Sequence, residues 1–347
     1  MKWIDDKVAG LHVASGEAAR TRQAMLTKPP GSLGQLEQLA VWLAERQGIH
    51  RPRLERIWIS VFAADHGVME EQVSAFPQAV TGEMLKNFAA GGAAISVLAK
   101  SLDASLEVIN LGVVNDPGPV PGIRQEQVAP QTANLARYPA MTEVELASAL
   151  ASGRRAAERA LEQKMQLYIA GDMGIGNTTA AAALACAYLD SAPAQLVGPG
   201  TGLDAAGVAH KTAVVEQALM NHRPACTSAS EILRHLGGFE IAAMTGAMLR
   251  CAQLGLPLLV DGYIATMAAL AAVRINPSVQ SWLQFSHRSA EPGHSAVLEA
   301  LGVKPVLDLG MRLGEASGAA VAVPLLRLAC DLHNNMATFA EAGVSEG

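Results

Sequence analysis

The stretch GDMGIGNTT, at Gly171–Thr179, decides the fold of this chain. It follows a short apolar run and leads into an alanine-rich segment with helical character. A second glycine-rich turn, VGPGTG at Val197–Gly202, has similar surroundings. Glycines let the backbone come close to a ligand, and the start of a helix offers unpaired N–H groups to an anion. The two turns therefore predict an anion site where strands meet helices.

The first of these turns has the spacing of a Walker A phosphate loop, G-x-x-x-x-G-K-T, with one difference. Asn177 stands where the lysine that reaches the β- and γ-phosphates belongs. This absence argues against a nucleoside triphosphate, and the single phosphate of a mononucleotide fits better. The spacing of the glycines is also the reverse of the dinucleotide fingerprint G-x-G-x-x-G, so a dinucleotide-dependent oxidoreductase is disfavoured.

Segments typical of strands and helices alternate on both sides of these turns. Apolar and β-branched runs predict strands at Arg56–Ala63, Leu106–Leu111, Gln166–Ala170, Leu256–Val260 and Leu283–Ser286. Helical patterns lie between them at Thr142–Gln163, Thr178–Leu189, Ala205–Asn221, Phe239–Leu254 and Ile264–Arg274. This alternation predicts an α/β, Rossmann-like fold, with a mostly parallel sheet flanked by helices.

Both ends of the chain look helical and have no strand nearby. Helices are predicted at Lys2–Arg22, Gln35–Gln47 and Ser317–Met336, and Gly112–Gln125 is predicted to be an extended loop. Residues 28–310 are expected to form a large catalytic domain, and residues 1–27 with 311–347 a small helical one. Ligands of such sheets bind beyond the carboxyl ends of the strands, where three polar loops are expected: Asp65–Gly67, Gly171–Thr179 and Ser286–Glu291.

Composition narrows the classes of function. Half of the 347 residues are hydrophobic, enough for a large buried core. A net charge of −6 without a lysine or arginine cluster argues against nucleic-acid binding. The four cysteines lie far apart, so neither a zinc site nor a disulfide framework is expected. Without a signal-peptide pattern or an apolar run of about 18 residues, a cytoplasmic protein with no membrane partner is predicted.

Two acidic positions are candidates for chemistry, and each has a structural alternative. Glu315, within RLGEASG at Arg312–Gly318, either faces a ligand from a tight turn or caps the last helix. Asp65 and His66 look like an acid–base or metal pair, but no third ligand has suitable spacing. Structural hydrogen bonding is the favoured interpretation of that pair.

The interpretation of two further features depends on the residues that surround them in the fold. Lys211 follows the second glycine-rich turn by about two helical turns, so it is either an ordinary surface lysine or the counter-charge of a phosphate. The loop Ser286–Glu291, with His294 beyond it, fits no common metal template. A loop that covers a ligand or forms an interface is favoured there.

Seven motifs then point to one family. They are KPPGSLG at Lys28–Gly34, ADHGV at Ala64–Val68, GIGNTT at Gly174–Thr179, GPGTG at Gly198–Gly202, GGFEIA at Gly237–Ala242, DGYI at Asp261–Ile264 and MRLGEASGAA at Met311–Ala320. In this order they strongly resemble nicotinate-nucleotide–dimethylbenzimidazole phosphoribosyltransferase, the family of cobalamin nucleotide-loop assembly. The resemblance runs from about residue 28 to 336, and seven motifs in order are specific.

The resemblance implies a reaction between nicotinate mononucleotide and 5,6-dimethylbenzimidazole that gives α-ribazole 5′-phosphate and nicotinate. It also implies a homodimer; no metal or cofactor is expected. Glu315 falls on the family's general base, and Ser289 is expected to reach the neighbouring subunit's site. Phosphate and ribose are expected to contact Asp172, Gly174, Ile175, Gly176, Asn177, Thr178, Thr179, Gly200, Thr201, Gly202 and Lys211. The azole is expected to contact Phe76, Glu83, Met84, Leu313 and Gly314.

Three positions depart from the family pattern. Asp172 stands where some members carry glutamate, Ala316 replaces a common glycine, and Glu83 sits where glutamine is often found. The preferred azole therefore stays open. The alternative function is a non-catalytic mononucleotide-binding protein with the same loops, which would retain its ligand without releasing nicotinate.

Overall fold

A computed structural model describes residues 2–345, and one six-stranded sheet lies at its centre. The strands are β1 Ile57–Ala64, β2 Ser105–Gly112, β3 Ile123–Gln125, β4 Leu167–Met173, β5 Leu258–Val260 and β6 Leu283–Phe285. All neighbours pair in parallel, in the order β3-β2-β1-β4-β5-β6. This is the strand order of doubly wound sheets, with its switch point between β1 and β4. The predicted α/β fold is confirmed.

Helices cover the sheet on both sides. They are α1 Val13–Met25, α2 Gln35–Gln47, α3 Ala79–Ala90, α4 Ala94–Leu102, α5 Glu143–Glu162, α6 Asn177–Leu189, α7 Pro193–Leu196, α8 Ala205–His222, α9 Ala229–Leu236, α10 Phe239–Leu254, α11 Tyr263–Ile275, α12 Pro292–Ala300, α13 Ser317–Asn335 and α14 Phe339–Ala342. Short 3₁₀ turns lie at Lys2–Asp5, Gly67–Glu71, Arg223–Ala225 and Pro277–Trp282. Within residues 2–345, no helix has the length and apolar character needed to cross a membrane.

The central strand β1 explains why both faces of the sheet are covered. Ile59 and Val61 belong to one hydrophobic cluster, whereas Phe62 and Ala64 belong to another, because successive side chains of a strand point to opposite faces. The first cluster includes residues of α2, α3, α4 and α13. The second includes residues of α5, α6 and α8 to α11. The sheet is therefore buried on both faces, as its continuous apolar strands predict.

Most predicted strands and helices begin and end within three residues of the observed ones, but the first helix begins much later than predicted. The prediction of one helix over Lys2–Arg22 is wrong: a 3₁₀ turn and an irregular segment precede α1. The main chain of that segment bonds to other elements instead of to itself. The N–H of Ala9 donates to the oxygen of Ala252 at 3.0 Å, and the N–H of His12 to that of Glu45 at 2.8 Å. Gly10 also weakens any helix there.

The two ends of the chain contact each other, as the prediction of a small helical domain requires. Arg22 in α1 donates hydrogen bonds to the carbonyl oxygens of His333, Asn334 and Met336. The same terminal helix, α13, also packs against the sheet. The boundaries of the two domains stay a prediction. The predicted extended loop Gly112–Gln125 differs at its end, where Ile123–Gln125 adds the edge strand β3.

The closest helix packing on the sheet joins α5 to α10, and it depends on two glycines. A Cβ atom on Gly153 would overlap the carbonyl oxygen of Ala243, and one on Gly246 would overlap that of Leu150. Each helix therefore places a glycine where the other helix's backbone passes.

We expect Gly153→Ala to lower the free energy of unfolding by about 1–3 kcal/mol, because overpacking outweighs the helix propensity that alanine adds. Urea denaturation measures this difference. Gly10→Ala is the matched control, since nothing lies within 4 Å of the added Cβ atom. A Gly153→Ala protein as stable as the wild type would contradict the packing described here.

Candidate active site

A cavity of about 330 Å³ lies beyond the carboxyl ends of β4, β5 and β6, next to the switch point of the sheet. Its walls come from the ends of these strands, from α3 and from the segment before α13. The lining residues are Phe76, Val80, Met84, Asp172, Met173, Gly174, Ile175, Asn177, Thr178, Gly200, Thr201, Gly262, Tyr263, Ile264, His287, Ser289, Glu291, Arg312, Leu313, Gly314 and Glu315. Most of the predicted site residues therefore meet in one place.

The first glycine turn (Gly171–Thr179) forms the floor of the cavity. Gly176 has φ +100°, a conformation that favours glycine, and α6 begins at the next residue. A Cβ atom on Gly176 would also lie 3.1 Å from that of His66. The side-chain amide of Asn177 donates to Asp172 Oδ2 at 2.8 Å. The turn thus presents the start of a 13-residue helix to the cavity, which is a favourable place for an anion.

Lys211 connects this turn to the second glycine turn (Val197–Gly202). Its Nζ atom donates to Thr178 Oγ1 at 2.8 Å and to the carbonyl oxygen of Gly198 at 3.3 Å. The side chain is 1% exposed, so it is not an ordinary surface lysine. Burial lowers the pKa of Lys211 to about 8, which leaves the amine protonated at neutral pH. A cation therefore lies just behind both turns.

Glu315 enters the cavity from the segment before α13, next to the end of β4. Gly314, Glu315 and Ala316 all have positive φ angles, and α13 begins at the next residue. The N–H of Glu315 donates to the carbonyl oxygen of Asp172 at 3.2 Å, which ties this left-handed segment to the end of β4. Glu315 lies before the helix, so it does not cap it with its side chain.

The Glu315 carboxylate has the environment of a general base. The side chain is 6% exposed, and its Oε2 atom has no hydrogen-bond partner among the described residues. Burial is the main cause that raises the pKa of Glu315 to about 7, and the nearby charge of Asp261 acts in the same direction. A carboxylate with a pKa near neutral accepts protons more effectively than an ordinary one.

Two other carboxyl groups share this buried region. Burial, followed by the charges of Asp261 and Glu240, raises the pKa of Asp172 well above its ordinary value. Burial also raises the pKa of Asp261, whose Oδ1 atom accepts the N–H of Ala319 at 2.8 Å and lies 3.8 Å from His287 Nε2. Asp172 therefore accepts the Asn177 amide in a buried, acidic environment, while Asp261 anchors the start of α13.

An apolar wall completes the cavity on the side of α3. Phe76 is 51% exposed and Leu313 is 59% exposed, so both stand at its mouth, and Val80 and Met84 lie on one face of α3. Together they form a surface against which a flat heteroaromatic ring can pack. Glu83, predicted to contact the azole, is exposed and does not line the cavity. A residue next to Met84 on a helix points about 100° away from it.

Four other predicted residues are not among those that line the cavity: Gly176, Thr179, Gly202 and Lys211. Thr179 is fully buried in the first turn of α6. Lys211 supports both glycine turns through Thr178 and Gly198, whereas Gly202 is exposed.

Ser289, expected to serve a neighbouring subunit, lines the cavity of its own chain and is 5% exposed. Its N–H donates to His294 Nδ1 at 2.7 Å, and Thr266 Oγ1 hydrogen-bonds to the other ring nitrogen at 2.9 Å. Burial lowers the pKa of His294 to about 3, so this histidine stays neutral and holds the loop against α11. The structure therefore places Ser289 at the site of its own subunit, and a contact with a second subunit stays a prediction.

Asp65 and His66 make structural contacts, as expected. His66 Nε2 lies 2.7 Å from Glu240 Oε1, with both side chains fully buried. Asp65 Oδ2 accepts the N–H of Val114 at 2.9 Å. Within residues 2–345, no group of three or more His, Cys, Asp and Glu side chains is arranged to hold a metal ion.

Sequence reasoning did not assign a role to several lining residues: Asp261, Tyr263, His287, Glu291 and Arg312. All of them fall in motifs or loops quoted in the sequence analysis, and this position was the sequence signal that could have identified them. Asp261, Tyr263, His287 and Glu291 meet because β5 and β6 end beside β4, and the segment before α13 adds Arg312.

Comparisons with known proteins identify the family of this chain. The family model described as a phosphoribosyltransferase matches residues 8–344. Nicotinate-nucleotide–dimethylbenzimidazole phosphoribosyltransferase of Xanthomonas oryzae pv. oryzae is 59% identical over 344 residues and covers 99% of both chains. Its namesake in Pseudomonas aeruginosa is 58% identical over 346 residues, with 100% of this chain and 99% of that protein covered.

A solved structure gives the same result. The crystal structure of CobT from Thermus thermophilus is 47% identical, superposes with a TM-score of 0.92, and matches 96% of this chain and 100% of its own. These identities extend over the whole length of the relatives. The chain therefore belongs to the nicotinate-nucleotide–dimethylbenzimidazole phosphoribosyltransferase family.

Proposed function

We propose that this chain transfers the phosphoribosyl group of nicotinate mononucleotide to 5,6-dimethylbenzimidazole, with α-ribazole 5′-phosphate and nicotinate as products, in the nucleotide-loop branch of cobalamin biosynthesis. The observation that carries this proposal is the buried Glu315 carboxylate, which lines an apolar-walled cavity together with residues of the two glycine turns. The family membership favours this enzyme over a non-catalytic nucleotide-binding protein.

The arrangement supports each step of this transfer. One azole nitrogen attacks C1′ with its lone pair, the glycosidic bond breaks, and its electrons stay on the pyridine nitrogen of nicotinate. That nitrogen loses its positive charge on leaving, so no general acid is needed. The second azole nitrogen gives its proton to Glu315. Attack from the face opposite the leaving ring inverts the anomeric centre, which gives the α product from a β nucleotide.

The remaining acceleration comes from positioning. The two glycine turns and Lys211 are assigned to the 5′-phosphate, and Asp172 with Asn177 to the ribose. The wall formed by Phe76, Met84 and Leu313 is assigned to the azole. With phosphate and ring held at opposite ends, C1′ lies between the nucleophile and the leaving group.

The proposal also covers the oligomeric state of the protein and its location in the cell. We propose a homodimer, which is supported by the exposed apolar side chains of Leu309 and, at the cavity mouth, of Phe76 and Leu313. A cytoplasmic location is supported by the four cysteines, all of which carry free thiols.

We expect Glu315→Gln to lower kcat by about two or more orders of magnitude, because general-base catalysis contributes about 10²–10⁴-fold. Affinity for nicotinate mononucleotide should stay within about threefold, since the base acts on the azole. Nicotinate release measures kcat, and calorimetry measures affinity. Glu299→Gln, at an exposed position of α12, is the control. Normal turnover by a folded Glu315→Gln protein would remove this residue from the role of base.

The dependence of kcat/KM on pH should be bell-shaped. Glu315 must be deprotonated, so the rate falls about tenfold per pH unit as the pH drops below the pKa of about 7. Lys211 must be protonated, so the rate also falls as the pH rises above the pKa of about 8. Rates measured from about pH 5 to 10 test both limbs. A profile that stays flat down to pH 5 would contradict the perturbed carboxylate.

We expect Lys211→Met to weaken nucleotide binding about 10- to 100-fold, because a hydrogen bond to a charged group contributes about 1.5–3 kcal/mol. Binding of nicotinate riboside, which lacks the phosphate, should change little. Calorimetry with both ligands gives the ratio, and Lys304→Met at an exposed position is the control. Equal losses for nucleotide and riboside would argue against the phosphate assignment.

A further inference from the structure

Glu291 brings a negative charge into the part of the cavity assigned to the phosphate. It precedes α12, lines the cavity and is 6% exposed. Its Oε2 atom lies against Gly198, where a Cβ atom would overlap it. The carboxylate therefore rests directly on the second glycine turn.

Three groups around this carboxylate are suited to bind an anion. Lys211 and Arg312 are the nearby cations, and the amide of Gly200 faces the carboxylate from the turn. Arg312 Nη1 also donates to the carbonyl oxygen of Gly200 at 3.1 Å. Lys211 Nζ instead bonds to Thr178 and Gly198, and within residues 2–345 neither cation forms an ion pair with Glu291 within 4.0 Å.

Burial has a cost for this carboxylate that the neighbours do not fully offset. It raises the pKa of Glu291, while the charges of Lys211 and Arg312 and the Gly200 amide act in the opposite direction. Burial lowers the pKa of Lys211, and the Glu291 charge offsets part of this decrease. A dianionic phosphate at the same amides would meet the Glu291 charge at close range, and like charges brought together in a buried site repel strongly.

We propose that the Glu291 carboxylate is an internal anion that competes with the nucleotide 5′-phosphate for the second glycine turn, Lys211 and Arg312. This inference rests on the proposed function, because it takes the same turn as the phosphate subsite. It assigns Glu291 a role in setting phosphate affinity. The carboxylate weakens the binding of the phosphate group, so substrate and phosphorylated product both exchange readily. The carboxylate must move or take up a proton when the phosphate binds.

The sign of the effect of Glu291→Gln on phosphate affinity tests the proposal. The glutamine keeps the size of the side chain and removes its charge, so we expect inorganic phosphate and nicotinate mononucleotide to bind about tenfold more tightly. Nicotinate riboside should bind as to the wild type. Calorimetry measures the three ligands, and the exposed Glu299→Gln on α12 is the control. KM for the nucleotide should fall without a rise in kcat.

Weaker or unchanged phosphate binding by Glu291→Gln would overturn the proposal, because a glutamate that only orders the turn loses affinity when neutralised. Should Glu291→Gln not fold, Glu291→Asp replaces it: the shorter side chain withdraws the charge, and tighter phosphate binding is again expected. Lys211→Met separates this inference from the proposed function. If Lys211→Met leaves phosphate binding intact, the phosphate assignment itself fails, whatever the Glu291 variants show.

Discussion

The site depends on the contact between the end of β4 and the left-handed segment that precedes α13. A Cβ atom on Gly171 would lie 2.7 Å from the main-chain carbon of Glu315, so only glycine at this strand position lets the two backbones meet. The contact places Glu315 over the end of the central strands. It also sets the start of α13, whose apolar side chains cover one face of the sheet. One close approach therefore connects the position of the carboxylate with the packing of the core.

The close approach of these two segments also brings several carboxyl groups together in the cavity. Asp172, Asp261 and Glu315 lie in one buried region, and the charges of Asp261 and Glu315 both raise the pKa of Asp172. Burial is nonetheless the first cause at all three positions. The exclusion of water thus raises the pKa of all three carboxyl groups, and the pKa of about 7 at Glu315 leaves this carboxylate able to accept a proton near neutral pH. The cations Lys211 and Arg312 lie at the second glycine turn, close to the Glu291 carboxylate, so charges of both signs meet in that part of the cavity.

Features set by local sequence could be predicted, and features set by packing could not. The apolar runs of β1 and β4 and the turns that follow them specify strands, glycine turns and the end of the sheet at which a ligand binds. Which side of α3 faces the cavity is a matter of tertiary packing, and so Met84 lines it while the predicted Glu83 does not. Tertiary packing also explains why the first helix begins later than predicted: the N–H of Ala9 bonds to α10, and Gly10 weakens a helix there. Glu291 was visible in its loop, but its place on the second glycine turn depends on where β6 ends.

Backbone strain at Glu315 indicates why this residue type stands at that position. Six non-glycine residues have positive φ, and Glu315 and Ala316 are the adjacent pair among them in residues 2–345. Each such residue costs about 1–2 kcal/mol relative to an ordinary conformation. Glycine would remove this cost at both positions, yet at 315 it would also remove the carboxylate. Ala316 retains the strain where a glycine is common in the family, and its side chain is fully buried in the cluster below α13. The alanine methyl thus fills the core at the point where the left-handed segment meets the sheet, which restricts the segment and holds the carboxylate in one orientation.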